Sequence, residues 1–139
     1  MYMHEGQFSC SDLTKFFVSD IVSVDLGDQQ MPINDMKQLD ESILQVLKTN
    51  GVKYFFPVQR QVIPHLINTV QRKFFRPSDV CVSAPTGSGK TLAFVLPIVQ
   101  ALKSRVVPRV RALVILPVQD LAAQVFKVFR NYTENNNLR

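Results

Sequence analysis

The spacing of apolar side chains in the first half of the chain predicts two helices. Between residues 39 and 47 apolar residues recur at intervals of three and four, which indicates one buried helix face: Leu39, Ile43, Val46 and Leu47. The dipeptide Asn50-Gly51 ends this helix. A second helix is predicted to begin at about Pro57, a favoured first-turn residue, and to continue toward Val70 with Pro64 as an irregularity near its middle.

The second half of the chain alternates strand and helix patterns. The β-branched run "VCVS" (80–83) predicts a short strand, and a helix is expected from about Lys90 to Lys103. The continuous apolar run "VRALVIL" (110–116) has the length and composition of a strand buried on both faces of a parallel sheet. Pro117 ends that run, and "DLAAQVFKVFRNY" (120–132) is again helical. This order predicts an α/β fold with parallel strands, flanking helices and right-handed crossovers.

Three segments have no sustained period. Residues 1–37 are interpreted as an extended lead-in to a domain at residues 38–139. The basic and aromatic segment "TVQRKFFRPSD" (69–79) is expected to be a surface excursion. The polar tail "TENNNLR" (133–139) is interpreted as frayed, or as the place where a longer chain was cut.

Composition restricts the class of protein. With 139 residues, 46% of them hydrophobic, the chain has the size and composition of one soluble globular domain. It has no apolar run of about 18 residues, and "MYMHEGQFSC" lacks a signal-peptide pattern, so an intracellular protein without a membrane span is expected. Cys10 and Cys81 suggest neither a disulfide framework nor a metal site, and Cys81 is predicted to be a buried reduced thiol.

The net charge of +5 is unevenly distributed along the chain. Residues 1–41 contain eight acidic residues and two lysines, whereas residues 42–139 contain fourteen Lys or Arg and three acidic residues. A basic domain of this kind favours a polyanionic partner, because each neutralised phosphate releases counterions. The alternative is a solvated basic surface that has no partner.

The stretch "SAPTGSGKT" (83–91) predicts a phosphate-binding loop at the start of a helix. Gly87 and Gly89 allow backbone N–H groups to point inward as a nest for phosphate oxygens, and the helix start adds its positive dipole end. Lys90 is predicted to reach the terminal phosphates, and the Thr91 hydroxyl to ligate Mg²⁺. The predicted nucleotide contacts in the loop are Ala84, Pro85, Thr86, Gly87, Ser88, Gly89, Lys90 and Thr91.

Hydrolysis by a site of this class needs a second carboxylate that holds Mg²⁺ and positions water. After Thr91 the chain offers only Asp120 and Glu134. Asp120 lies beyond Pro117 and fits the start of a helix better than the tip of a strand, and Glu134 lies in the polar tail. No catalytic residue is therefore assigned.

Three stretches in this order resemble the motifs of the DEAD-box RNA helicases. "APTGSGKT" (84–91) is similar to motif I, "GVKYFFPVQ" (51–59) resembles the Q motif, and "PVQDLAAQ" (117–124) resembles motif Ia. The resemblance covers roughly residues 31–139. It is strongest to a subgroup linked to assembly of the large ribosomal subunit.

The resemblance implies that residues 38–139 are an incomplete N-terminal RecA-like lobe that binds ATP and Mg²⁺. It also implies RNA as a partner of the full-length form and a nuclear, nucleolar location. It assigns Gln59 to the adenine base. A carboxamide can accept from the adenine amino group and donate to the adjacent ring nitrogen, a pairing that guanine would reject. Without the resemblance, a glutamine on a helix is more often solvated.

Several positions depart from the family pattern. Phe56 replaces a Ser or Thr of the Q motif, and the aromatic residue that stacks on adenine in the family falls near Asn34. Val118 and Gln119 replace a Thr and an Arg that touch the RNA backbone, so direct phosphate contact there is expected to be weaker. Downstream, helix packing is the favoured role for Leu121 and Ala122, and the role of Gln124 stays open.

The Asp-Glu-Ala-Asp motif, the Ser-Ala-Thr motif and the second RecA-like lobe of the family have no counterpart before Arg139. The sequence is therefore interpreted as the front part of a helicase's first lobe, inactive on its own. One alternative is a non-catalytic short form that binds nucleotide, RNA or protein partners. A nucleotide kinase or an unrelated phosphate-loop NTPase is disfavoured by the Q motif and motif Ia matches.

Overall fold

Helices dominate the regular structure of this protein. The computed structural model describes residues 2–3, 30–71, 79–103, 107 and 109–134. In these ranges the helices are α1 (Glu41–Thr49), α2 (Pro57–Gln71), α3 (Lys90–Leu102) and α4 (Gln119–Thr133), together with a 3-10 turn at Ile33–Asp35. The strands are β1 (Tyr2–Met3), β2 (Met31–Pro32), β3 (Tyr54–Phe55) and β4 (Cys81–Val82).

Helix α1 confirms the first helix predicted from the apolar spacing. It begins after Asp40, whose side chain accepts a hydrogen bond from the backbone N–H of Ser42 at 2.9 Å and so caps the first turn. It ends before Gly51, whose φ of 75° is in the left-handed region that glycine tolerates best. Its apolar face is buried in the main core: Ile43, Leu44, Val46 and Leu47.

Helices α2 and α3 pack against each other and form the most extensive contact between two elements of the described residues. Helix α2 begins at Pro57 and continues through Pro64, as predicted, and α3 occupies the range predicted for the helix that follows the glycine-rich loop. Because α3 is apolar on nearly all sides, it lies in the interior rather than at the surface. Its buried residues are Ala93, Phe94, Val95, Leu96, Pro97 and Val99.

The strands form two short ladders of two residues each. Strand β1 pairs with β4 in parallel, and β2 pairs with β3 in antiparallel orientation. Strand β4 confirms the strand predicted at 80–83. The prediction of a buried thiol is wrong, because successive side chains on a strand face opposite sides: Val80 and Val82 are buried against Val58, Val62 and Ala93, whereas Cys81 is half-buried.

The apolar run at 110–116 differs from its prediction. Val110, Leu113 and Ile115 are 91%, 80% and 83% exposed, so the prediction of a strand buried on both faces is wrong. Val114 and Leu116 do pack against the main core from the other side of the run. Burial on both faces requires a neighbour on each face, and in the described residues the outer face has none. The wider parallel sheet stays a prediction.

Helix α4 confirms the helix predicted after Pro117, with Asp120 in its first turn. Its buried or half-buried side chains repeat at intervals of three and four and pack on the core: Leu121, Val125, Val128, Phe129 and Tyr132. The packing role expected for Leu121 is confirmed. The same expectation for Ala122 is wrong, because that residue points about 100° away from Leu121 and is exposed.

A polar cluster ties the start of α1 to the end of α3. The Lys103 ammonium donates to the Asp40 carboxylate and, at 2.7 Å, to the Ser42 hydroxyl, while the Asp40 backbone N–H donates to Gln100 Oε1 at 2.9 Å. The hydrogen bond from Lys103, assisted by those from Ser42, lowers the pKa of Asp40 from 3.8 to about 2. This cluster anchors the C-terminal end of α3, the helix that follows the glycine-rich loop.

Parts of the sequence interpretation lie outside the described residues. These are most of the lead-in (4–29) with Cys10, most of the basic and aromatic excursion (72–78) and most of the polar tail (135–139). Ile33 and Met36 belong to the main core, and the boundary near residue 37 stays a prediction. In the described ranges no helix is both long and apolar enough to cross a membrane.

Candidate nucleotide-binding site

The glycine-rich loop connects β4 to α3 and has the backbone shape of a phosphate nest. Gly87 and Gly89 have φ values of 82° and 80°, in the left-handed region, and Gly89 is the residue immediately before α3. The Ser88 N–H donates to the Pro85 carbonyl at 3.3 Å and closes the turn. Loops of this shape, at the N-terminus of a helix, bind anions through their backbone N–H groups.

Gly89 cannot be replaced without moving its neighbours. A Cβ atom at this position would overlap Gln59 Nε2 and would lie 2.9 Å from Cδ2 of Phe56. Both neighbours lie at the start of α2. They precede the loop by about thirty residues in the sequence but contact it in the structure. Gly89 is therefore packed between α3, which begins at the next residue, and the start of α2.

Lys90 is folded over the loop. Its ammonium donates to the carbonyl oxygens of Ala84 at 2.6 Å and Pro85 at 2.8 Å. These carbonyls keep a flexible cation beside the predicted phosphate position. An incoming phosphate oxygen would replace neutral carbonyl acceptors with a charged one, which is the stronger partner for an ammonium.

The remaining loop residues surround the same turn. Ala84 packs against the valine cluster under β4, Pro85 and Thr86 are exposed, and Thr91 is a half-buried residue in the first turn of α3. The Ser88 hydroxyl oxygen is buried and has no hydrogen-bond partner among the described residues. A buried hydroxyl without a partner, at the N-terminus of a helix, fits an anionic ligand whose oxygens can accept its hydrogen bond.

Gln59 is buried, with 2% of its surface exposed, and both ends of its carboxamide are hydrogen-bonded. Its Oε1 accepts from the Phe56 N–H at 3.0 Å, and its Nε2 donates to the Gly89 carbonyl at 3.0 Å. The interpretation as a solvated glutamine is therefore excluded. One oxygen lone pair and one N–H remain for another partner, so the adenine role stays a prediction.

Other residues from the motif comparison lie apart from this cluster. Val118 is 58% exposed and precedes α4, and Gln119, Asp120 and Gln124 are exposed on that helix. Glu134 pairs with Arg130 at 2.9 Å on the surface. Among the described residues no group of three or more His, Cys, Asp or Glu side chains could hold a metal ion.

Two contacts of this site were not anticipated from the sequence. One is the approach of the Phe56 ring to Gly89, and the other is the hydrogen bond from Gln59 to the Gly89 carbonyl. Both join residues about thirty positions apart, and the spacing of the motifs carries no information on such a distance. The signal available in the sequence was chemical: an aromatic side chain just before a helix that carries a glutamine in its first turn.

Comparison with known proteins identifies the family. The family model for DEAD/DEAH box helicases matches residues 56–139. ATP-dependent RNA helicase DDX51 of Danio rerio is 48% identical over 126 residues, an alignment that covers 86% of this chain and 19% of that protein. DDX51 of Homo sapiens is 52% identical over 115 residues, and the probable ATP-dependent RNA helicase Dbp73D of Drosophila melanogaster is 50% identical over 107 residues.

These alignments cover 78% and 76% of this chain, but only 17% and 16% of the human and Drosophila proteins. The chain thus spans less than a fifth of the length of the relatives it matches. The region matched by the family model contains Gln59, the whole glycine-rich loop and helix α4. On this evidence the chain belongs to the DEAD/DEAH box helicase family.

Proposed function

We propose that this chain is the ATP-binding front part of an ATP-dependent RNA helicase. The observation that carries the proposal is the link from Gln59 to Gly89, next to Lys90. It joins a residue suited to read a base to a loop suited to hold phosphates. The names of the relatives, which describe ATP-dependent RNA helicases, support the same function.

The phosphates bind in the loop between β4 and α3. Backbone N–H groups around Gly87 and Gly89 hold the phosphate oxygens, and Lys90 turns from the carbonyls of Ala84 and Pro85 to the terminal phosphates. A charge-assisted hydrogen bond of this kind contributes about 1.5 to 3 kcal/mol. The Ser88 hydroxyl gains a partner when the loop is filled.

Thr91 is the residue that would hold Mg²⁺, because its hydroxyl lies one residue after Lys90 in the first turn of α3. When bound, Mg²⁺ neutralises charge on the phosphates and orients them for transfer. The other contacts to the phosphates come from the chain itself: Lys90 holds the terminal phosphates, and backbone N–H groups of the loop hold the phosphate oxygens.

Gln59 selects adenine over guanine through its remaining lone pair and N–H. Its existing bonds to Phe56 and Gly89 fix the plane of the carboxamide, so the selection does not rest on a mobile side chain. Base and phosphate recognition are then coupled through the Gly89 carbonyl.

In the whole protein, ATP binding closes two lobes over single-stranded RNA and bends it, and hydrolysis releases the RNA. The basic residues of 42–139 supply electrostatic attraction for the RNA backbone. Action in the assembly of the large ribosomal subunit, and a nucleolar location, follow from the subgroup resemblance. The alternative of a non-catalytic short form that binds nucleotide or partners uses the same site without turnover.

A titration with a fluorescent ATP analogue tests the site. The 139-residue chain should bind the analogue, and Lys90→Ala should weaken binding at least tenfold, because the loop loses its mobile cation. Lys127→Ala removes an exposed lysine from α4 and is the matched control. Equal affinity of the Lys90→Ala and Lys127→Ala variants would overturn the assignment of the loop.

A further inference from the structure

Phe56 is an exposed aromatic residue whose ring lies against the glycine-rich loop. The residue is 43% exposed, and its Cδ2 atom approaches the Cβ direction of Gly89 to 2.9 Å. Tyr54 and Phe126 are also exposed, but the side-chain atoms nearest that direction of Gly89 belong to Phe56 and Gln59. The ring therefore borders the site while much of its surface remains open.

The backbone of Phe56 is hydrogen-bonded on both sides, which fixes the direction of its Cα–Cβ bond. Its N–H donates to Gln59 Oε1 at 3.0 Å, and its carbonyl accepts from the Arg60 N–H at 3.0 Å in the first turn of α2. Phe56, Gln59 and Gly89 thus form one hydrogen-bonded unit. The close approach of the ring to Gly89 limits its rotation, so a ligand that covers the ring has less side-chain freedom to remove.

We propose that the Phe56 ring is the stacking surface for the base of the bound nucleotide. The inference rests on the proposed function, because Gln59 and the loop define where base and phosphates bind. The Gln59 carboxamide reads the edge of the base, and the ring beside it offers a flat apolar face. Aromatic side chains bind bases in this way with little dependence on sequence, because every base has a π-face.

The experiment compares ATP with inorganic tripolyphosphate, which carries the same phosphates and no base. Binding of each to the 139-residue chain is measured by calorimetry for the parent, Phe56→Ala and Phe56→Leu. Both variants should bind ATP roughly tenfold or more weakly, since stacking is lost. Their affinity for tripolyphosphate should stay within about twofold of the parent. Phe126→Ala, which removes an exposed phenylalanine from α4, should change neither affinity.

A tryptophan variant gives a second readout. The chain contains no tryptophan, so Phe56→Trp introduces a single tryptophan at the proposed surface, and its emission can be excited selectively over that of the three tyrosines. Its emission should be quenched by ATP and not by tripolyphosphate, and ATP affinity should be equal to or higher than that of the parent. Phe126→Trp should respond to neither ligand.

Three outcomes would contradict the inference, and they separate it from the proposed function. If Phe56→Ala and Phe56→Leu weaken ATP and tripolyphosphate equally, the ring only supports the loop through Gly89. If both variants bind ATP as the parent does, the base stacks elsewhere. In these two cases the phosphate site stands and the role of Phe56 falls. If the parent binds neither ligand, the nucleotide site itself is refuted, and Phe56 with it.

Discussion

The glycine-rich loop and the apolar run at 110–116 both matched a sequence pattern, but only the loop has the local structure that its pattern predicted. The loop has the dihedral angles, the lysine position and the helix start expected of a phosphate site. The apolar run leaves Val110, Leu113 and Ile115 exposed. The loop needs only its own residues and the start of α2, whereas a buried strand needs neighbours from elsewhere in a sheet. A loop can therefore adopt its expected geometry in a structure in which an apolar run stays exposed on one face.

The largest expected effect concerns catalysis, because a phosphate-binding loop alone does not hydrolyse ATP. We expect the 139-residue chain to release no phosphate from ATP above background. Asp120 is exposed in the first turn of α4 and Glu134 pairs with Arg130, so neither carboxylate is placed beside Thr91 by a contact of the described residues. An arginine that offsets transition-state charge is alone worth roughly 10³ to 10⁵ in rate in related hydrolases.

The measurement is a phosphate-release assay on the purified chain, with and without RNA. Lys90→Ala supplies the background, because it removes the phosphate-binding cation and leaves the acidic residues in place. RNA-stimulated release clearly above that background would contradict the expectation. It would also single out Asp120 as the carboxylate to mutate next.

The second prediction tests how closely Gln59 and Phe56 pack against Gly89. Gly89→Ala should lower the free energy of unfolding by about 3 kcal/mol, since the left-handed φ costs about 1 to 2 kcal/mol and overpacking against Gln59 and Phe56 adds to it. Gly51→Ala is the matched control, because its φ is also positive, at 75°, and its Cβ would meet nothing within 4 Å. It should lose only the conformational part.

Urea denaturation of both variants measures the difference. Equal losses for Gly89→Ala and Gly51→Ala would mean that the Gln59 and Phe56 side chains move away without cost. The contact between α2 and the loop would then be a loose one.

The sequence predicted the local geometry of the glycine-rich loop better than it predicted which residues of the fold are buried, and the reason is physical. The residues Gly87, Gly89 and Lys90 determine a local backbone shape and charge, so their spacing alone predicted the cradle. The helices were predictable because α1 and α4 have apolar stripes with a period near 3.6. The exposure of Ile115 was not predictable, because it depends on which segments cover it rather than on the residue itself. The burial of Gln59 was missed for the same reason.

The third prediction concerns base recognition. Gln59→Glu should weaken ATP binding about tenfold or more, because the Gly89 carbonyl loses its donor and a negative charge is placed beside the phosphates. Gln45→Glu adds the same charge on an exposed position of α1 and should have little effect. Competition of ATP and GTP against a labelled nucleotide gives the selectivity of the parent. Equal competition would refute the adenine role.

A smaller effect is expected at the polar cluster between α1 and α3. The pKa of Asp40 is lowered from 3.8 to about 2, so its contribution to stability is present above pH 3.8 and is lost as the pH falls through about 2. Asp40 is partly exposed, so solvent screening reduces the effect to about 1 kcal/mol. Asp40→Asn keeps a good N-cap residue and removes only the charge.

Unfolding free energies measured between pH 7 and pH 2 check this prediction. The difference between the parent and Asp40→Asn should be constant near neutrality and should fall to well under half of that value at pH 2. Asp35→Asn, at an exposed acid in the preceding 3-10 turn, is the control. A difference at pH 2 as large as that near neutrality would show that the amide disturbs the cap itself rather than the ion pair with Lys103.

The smallest expected effect lies in the apolar run and returns to the comparison with the loop. Ile115→Thr should change the free energy of unfolding by less than about 0.5 kcal/mol, because the side chain is 83% exposed. Ile63→Thr, the same substitution at a fully buried position of α2, should cost about 2 kcal/mol or more, since it buries a hydroxyl and removes core volume. Thermal or urea unfolding of the two variants side by side gives the ratio. Comparable losses would mean that the outer face of the run is covered in solution. In that case the exposure of the apolar run would not hold in solution, and the segment that covers it would be sought in contact with Leu113 and Ile115.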